Sequence, residues 1–306
     1  MDDIKADKSY NNRINVFSVD VEDYWKILSC DWLNLCVTPT DAIVRSTNQL
    51  LDILQDRSVK ATFFFLGEVV KKFPQLVRQV VQCGHEIAIH GFNHFVIYTI
   101  NKEKFYQEVL DAKKLVEDVI GLSVEGHRAP SFSIMPKTKW ALEMLSEAGY
   151  RYDSSIFPFR GRRYGWPGFS RDICEIELPN GKSITEVPMS TVKILGKLFP
   201  ACGGGYLRHF PYFYTDFAIR SIIPLRPVIL YMHPYDFDTE PGPKDIITKL
   251  SKAPLRAKFH HIQQFHNRHT VIKKLHRLLS EYKFAPIREV IVNVDVKKIL
   301  LVDNLG

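Results

Sequence analysis

The sequence predicts an α/β protein, a distorted, TIM-like (β/α)7 barrel in a single domain. Three observations carry that expectation. Short apolar, β-branched runs alternate with amphipathic stretches; about seven of the runs have strand character; and ionisable residues follow directly after several of them. The alternation is the signature of successive βα units, because strands covered by helices on both faces are apolar throughout. A length of 306 residues suits one large barrel.

The elements follow in order. Residues 15–20 read as the first strand, and 40–57 as a helix whose apolar face includes Val44, Leu50, Leu51 and Leu54. Residues 61–66 form a second, wholly apolar strand. Residues 73–83 are helical, entered through Pro74 and stopped by Gly84. A strand over 86–90 precedes a long helix over 102–120 that ends at Gly121. Residues 124–128 are a strand, 137–148 a helix closed by Gly149, and 150–153, 184–187 and 228–232 further strands. The Gly-, Arg- and aromatic-rich stretch 160–179 reads as irregular, and the three glycines of 203–205 as a loop. The barrel domain spans 14–292, including a helical region over 244–283, between a polar N-terminal segment (1–13) and a C-terminal tail (293–306).

Composition narrows the function classes. With 45% hydrophobic and 25% charged residues, the chain can bury a sizeable core. The net charge of +7 gathers in 249–258 and 273–283, read as solvated helical faces; no nucleic-acid motif accompanies them, so nucleic acid is not an expected partner. Five cysteines without a CxxC pair fit a reducing compartment. Residues 1–15 lack the apolar stretch of a signal peptide, and no run of about 18 apolar residues offers a transmembrane segment. The expected location is cytoplasmic. The sequence specifies no oligomeric state.

In such a barrel the chemistry sits at the C-terminal ends of the strands. Those positions hold Asp20, Glu22 and Asp23; His90 and His94; His127 and Arg128; Asp153; and His233. His90 and His94 are four apart, so one helical turn would align them. Two imidazoles and a carboxylate leave the open position of a catalytic zinc site. Asp20 and Glu22, two apart, project to one side of an extended strand, so one can bind the metal while the other takes a proton. Asp23 is the rival ligand. His85 and His90 are five apart, which rules out an HExxH site. His260, His261, His266 and His269, within the helical stretch 253–279, read as surface residues rather than a metal cluster.

The ordered blocks SVDVEDYW, GHEIAIHGFNH, GHRAPSFSI, RYDSSIFP and LYMHPYDFD resemble the five signature blocks of the polysaccharide deacetylases, the NodB homology domain of carbohydrate esterase family 4. The GGGY loop at 203–206 and the FAPIREV ending at 284–290 are similar to a branch associated with bacterial exopolysaccharide gene clusters. The resemblance covers roughly 14–292. It implies metal-dependent hydrolysis of N-acetyl groups on an N-acetylhexosamine-containing polysaccharide or its precursor, with a divalent metal, zinc first, as cofactor. It further implies Asp20 as general base, His90 and His94 as ligands with Glu22 or Asp23 as the third, and Arg128 orienting the base. Asp153 would hold the site together near the final histidine, and His233 would be the general acid. Pro130, Phe132 and Tyr206 are expected at the substrate. Two departures stand out: Asp-Val-Glu-Asp replaces adjacent aspartates before a glycine, and Gly91 stands where Ser or Thr is usual. The second is shared with allantoinase-like relatives, so a small-molecule C–N hydrolase is the alternative reading, and a catalytically dead carbohydrate-binding module a third.

Overall fold

The computed structural model describes residues 13–35 and 37–301. Its strands are β1 (Ile14–Val21), β2 (Thr62–Phe65), β3 (Glu86–Ile89), β4 (Gly126–His127), β5 (Tyr152–Asp153), β6 (Cys174–Glu177), β7 (Ser183–Glu186), β8 (Thr191–Ile194), β9 (Lys197–Pro200), β10 (Ile229–Met232), β11 (Lys283–Ala285) and β12 (Lys297–Leu300). The helices are α1 (Tyr24–Leu33), α2 (Ala42–Asp56), α3 (Gly67–Lys72), α4 (Pro74–Gln82), α5 (Lys102–Ile120) and α6 (Trp140–Glu147), then α7 (Gly204–His209), α8 (Tyr212–Ile222), α9 (Lys244–Ser251), α10 (Leu255–Phe265), α11 (Arg268–Glu281) and α12 (Ile287–Ile291).

Seven strands, in the order β10-β1-β2-β3-β4-β5-β7, form a parallel sheet. They are the seven strands expected from the sequence. No ladder joins β7 to β10 among the described residues. Pro188, just after β7, has no N–H to extend one, and the β8–β9 hairpin departs there. The edges are instead bridged by Ile229 N–H to Ser190 Oγ (2.8 Å), Ala201 N–H to the Ser190 carbonyl (3.0 Å) and Tyr231 N–H to the Cys202 carbonyl (3.0 Å). The protein is thus a mixed α/β domain on a central parallel sheet whose ring is not closed by strand pairing.

Register fixes where the chemistry lies. Val21 pairs with Phe65, Phe65 with Ile89, Ile89 with His127, His127 with Asp153, Asp153 with Glu186, and Val19 with Met232. Glu22, His90, Arg128 and His233 each come directly after one of these strand ends and so stand along one rim. Beneath it, one apolar core runs from Phe17 on β1 through Val109 on α5 to Leu275 on α11.

Several local expectations are corrected. The tail 293–306 contains β12, which pairs parallel with β6, and the stretch 160–179 contains β6 itself. The stretch 253–279 is two helices, interrupted at Asn267, whose φ is +61°. Residues 203–205 are not simply a loop, because α7 begins at Gly204.

Candidate active site

Glu22, His90 and His94 converge. His90 continues the line of β3, its N–H donating to the Phe65 carbonyl (2.8 Å). The Arg128 carbonyl lies 2.8 Å from His90 Nδ1. A carbonyl only accepts, so Nδ1 carries the proton and Nε2 faces Glu22 Oε1, 2.7 Å away. His94 Nε2 lies 2.9 Å from the same oxygen. The expected helical turn between the two histidines is absent. A loop brings His94 round, with Gly91 at φ +80° and His94 itself at +61°, fastened to α3 by Gly67 N–H to the Gly91 carbonyl (2.9 Å). The ligand atoms of the three residues all lie within 4.8 Å of one another.

This donor set fits a metal ion. With Nδ1 protonated, neutral His90 presents a lone pair to a carboxylate oxygen at 2.7 Å, an arrangement that needs a proton or a cation between them. Two imidazole nitrogens and one carboxylate match a three-ligand site, and the Nδ1–H bond to a carbonyl is the outer support such ligands use. Burial opposes ionisation of Glu22, but His94 and His233 beside it, with the close contacts of the His90 and His94 rings, hold its carboxyl well below the ordinary range. The rival carboxylate is occupied elsewhere. Asp23 Oδ1 accepts Trp25 N–H (2.8 Å) and caps α1, and its Oδ2 accepts Thr40 N–H.

On one side stands a buried ion pair. Arg128 Nη1 donates to Asp20 Oδ1 at 2.7 Å, and both side chains are almost wholly buried. The guanidinium also donates to Ser18 Oγ (2.9 Å), the Ser154 carbonyl (2.9 Å) and Ser154 Oγ (2.9 Å), and sits 4.1 Å from the centroid of the Phe64 ring. Its fork is fully engaged and aims one arm at Asp20.

On the other side, His233 Nε2 lies 3.7 Å from Glu22 Oε2. Its partner is Asp236, not the predicted Asp153. Asp236 Oδ2 accepts the His233 backbone N–H (2.8 Å) and lies 3.2 Å from Nδ1, while Oδ1 takes Arg208 Nη1 (3.3 Å). Burial opposes the charge on His233, but Glu22, then Asp236 and Asp20, push its pKa up to about 9. Asp153 lies deeper: Oδ1 accepts from His127 Nδ1 (2.7 Å) and Ser155 Oγ (2.8 Å), and Oδ2 accepts Ser155 N–H (3.0 Å). A signal for Asp236 was present, since His-Pro-Tyr-Asp places a carboxylate three residues after a histidine and Pro234 starts a turn.

Asp20, Glu22, His90, His94 and His233 line one cleft of about 780 Å³. Of the predicted substrate residues, Phe132 lines it. Pro130 is buried against Gly91, and Tyr206 stacks beside Phe210 (6.2 Å between centroids) away from the cleft wall. The wall contains residues that sequence reasoning missed: Tyr24 and Trp32 from α1, Tyr235, Arg162, Arg163 and His260. Tyr235 stacks on His233 at 4.6 Å, and His260, expected on the surface, stacks on Trp32 at 4.4 Å. Flat aromatic faces near the rim suit sugar rings.

Residues 36–152 match the family "Polysaccharide deacetylase", and 154–292 match a domain of unknown function, DUF3473. Asp20 and Glu22 precede the first match and His233 lies in the second, so the cleft draws on both matches and on the segment before them. A peptidoglycan-N-acetylglucosamine deacetylase of Bacillus cereus is 32% identical over 98 residues, 32% of this chain and 36% of that one. A chitooligosaccharide deacetylase of Sinorhizobium fredii is 36% identical over 70 residues, 23% of this chain and 33% of that one. The chain thus spans about a third of the length of these curated relatives. Among solved structures, a protein of Mycobacterium smegmatis assigned as a polysaccharide deacetylase superposes with a TM-score of 0.59 at 18% identity, covering 93% of this chain and 92% of that one. A CE4-family pseudoenzyme of Bacillus anthracis gives 0.51 at 15%, covering 94% and 68%. Such likenesses speak for the fold alone. The chain thus carries a polysaccharide deacetylase domain match over residues 36–152, continued by the DUF3473 match over 154–292.

Proposed function

We propose that the protein hydrolyses the N-acetyl group of an N-acetylhexosamine unit in a polysaccharide, with a bound divalent cation. The observation that supports this most directly is convergence in one cleft: Glu22, His90 and His94 as ligands, Asp20 held by Arg128 on one side, and His233 held by Asp236 on the other. Because the fold is shared with a pseudoenzyme, the reading rests on these residues and not on the architecture.

Glu22, His90 and His94 would hold a divalent cation, zinc first, which when bound would supply Lewis-acid polarisation of the acetyl carbonyl and make water more acidic. Asp20 accepts a proton from the attacking water, while Arg128 holds its carboxylate in place. The water oxygen bonds to the acetyl carbon, the C–N bond breaks, and acetate leaves. His233 delivers its proton to the departing amine nitrogen, with Asp236 holding the imidazole and Tyr235 stacked on its face. Tyr24, Trp32 and Phe132 offer apolar surface to sugar rings. The open cleft suits a saccharide chain better than a single ureide ring, and the exopolysaccharide-associated branch resembled by the sequence points to a polymer of that kind.

The test is acetate release from N-acetylglucosamine oligomers by zinc-loaded and chelator-stripped protein. Release that needs metal and vanishes in Asp20→Asn and His233→Ala, both still metal-loaded, supports the mechanism. Metal-loaded wild type inert on every N-acetylated saccharide, yet binding them, would instead make it a binding module.

A further inference from the structure

Helix α10 carries an apolar stripe that none of the described residues covers. Leu255, Phe259 and Ile262 are 82%, 68% and 64% exposed, and their i, i+4, i+7 spacing places them on one face. The opposite side of the helix is fully used: Ala257 is buried, His261 and Phe265 pack on Tyr24 and Trp25, and His260 and Gln264 line the cleft. Isolated exposed apolar residues are ordinary; three in register on one helix are not.

The charge around the stripe identifies what covers it. From residue 246 to 280 the sequence contains eight lysines and arginines and no aspartate or glutamate, and apart from the buried Arg268 and the cleft-facing Arg256 six remain for this surface. Lys249 and Lys252 are exposed just before α10, and Lys258 is half-buried beside the stripe. An anionic partner is therefore complementary to this face. A nucleic acid would meet the cations but has no use for Leu255, Phe259 and Ile262. A bilayer with anionic headgroups meets both, taking the apolar side chains into the headgroup–acyl boundary and the cations at the phosphates.

We infer that α10 is an interfacial helix that docks the protein on an anionic membrane surface. No helix of the described residues is long and apolar enough to cross a membrane. Because the same helix lines the cleft with its other side, docking sets the cleft at the bilayer surface.

The experiment is flotation of the full chain with phosphatidylcholine vesicles, with and without phosphatidylglycerol, at low and high salt. Wild type is expected to float only with the anionic vesicles and to detach as salt rises. Leu255→Ser, Phe259→Ser and Ile262→Ser combined should weaken partitioning by about tenfold or more, with an unchanged unfolding midpoint because these side chains support no core. Three results would each overturn the inference: wild type that stays with the soluble fraction, a triple variant that floats like wild type, or a concentration-dependent dimer that the triple variant abolishes. The last would mean that a second copy covers the stripe. Deacetylation is not needed for the readout, so failure of the catalytic reading leaves this test intact.

Discussion

Gly204 offers a sharp test of how His233 is held. A Cβ at this position would stand 1.9 Å from Asp236 Oδ2, 2.7 Å from its Cγ and 3.0 Å from Met232 Cβ. Ordinary contact begins at 3.4 Å, so the carboxylate of Gly204→Ala must retreat by about 1.5 Å. That oxygen accepts the His233 N–H at 2.8 Å and lies 3.2 Å from the ring Nδ1, and a retreat of this size breaks both contacts. Hydrogen bonds to a charged group contribute roughly 1.5–3 kcal/mol each, and alanine returns about 1 kcal/mol of helix propensity in α7. The net loss is about 2–5 kcal/mol, a fall in Tm of roughly 5 °C or more. An acid that keeps its proton but loses its orientation should cost about 100-fold in kcat/KM. The neighbouring Gly205→Ala is the control, since a Cβ there meets nothing within 4 Å. Acetate release and thermal melts of both variants, each loaded with metal, decide the matter. A Gly204→Ala protein with wild-type activity and Tm would show that Asp236 does not position His233.

Three other outcomes follow from the same geometry. Glu22→Gln should lose bound metal after dialysis, whereas Asp23→Ala should retain it and lose about 1–2 kcal/mol of stability with the α1 cap; the reverse pattern would exchange the two roles. Burial, reinforced by Lys60, depresses His85 to about 4, and its ring accepts Ala61 N–H at 3.1 Å. The unfolded chain therefore binds more protons here: the neutral imidazole's stability is present above pH 6.5 and is lost as pH falls toward 4, by about 3 kcal/mol at most. Denaturant titrations of His85→Gln should show a flatter slope over that window, and an unaltered slope would refute the assignment. Burial, then neighbouring Asp153, raises Glu186 well above the ordinary carboxyl range, while its Oε1 accepts Ile156 N–H at 2.9 Å. Its folded pKa exceeds the unfolded one, so stability present at low pH is lost as pH rises. Glu186→Gln should be tolerated and should gain on wild type as pH rises above about 4.5; a large loss at neutral pH would mean that the carboxylate is charged.

What was legible in the sequence depended on regularity. Among the seven parallel strands, β2 and β10 are wholly buried apolar runs and β1 and β3 largely so, and the rim followed because ionisable residues come directly after these strands. The long helix over 102–120 was clear from period and its glycine stop. Features made by tertiary contact were not. Asp153 stands at a strand end like the functional residues, but it turns to His127, whereas Asp236 needed the turn at Pro234 to reach His233. The loop that carries His94 round through a left-handed backbone has no periodicity to read. Trp32 and His260, more than two hundred residues apart, meet only because α1 and α10 pack together. β6 and β12 are short and two-faced, and only their pairing makes them strands.

The block Asp20-Val21-Glu22-Asp23 shows how one stretch of chain supplies several kinds of chemistry. In β1 successive side chains alternate faces: Val19 and Val21 enter the main apolar core, while Asp20 points to the side where Arg128 waits. Glu22 falls just past the strand, where its N–H bonds back to the Asp20 carbonyl (3.0 Å), and it reaches the imidazoles on the same side as Asp20. In the roles proposed above, base and ligand stand two apart, and the longer side chain of glutamate spans the distance to His90 and His94. Asp23 instead caps α1, whose first turn brings Tyr24 into the cleft wall. Exchanging the order of Glu22 and Asp23 keeps charge and composition constant, yet it shortens the ligand and removes the preferred cap together. Such a double variant should lose both metal and stability, by more than Glu22→Gln and Asp23→Ala do separately.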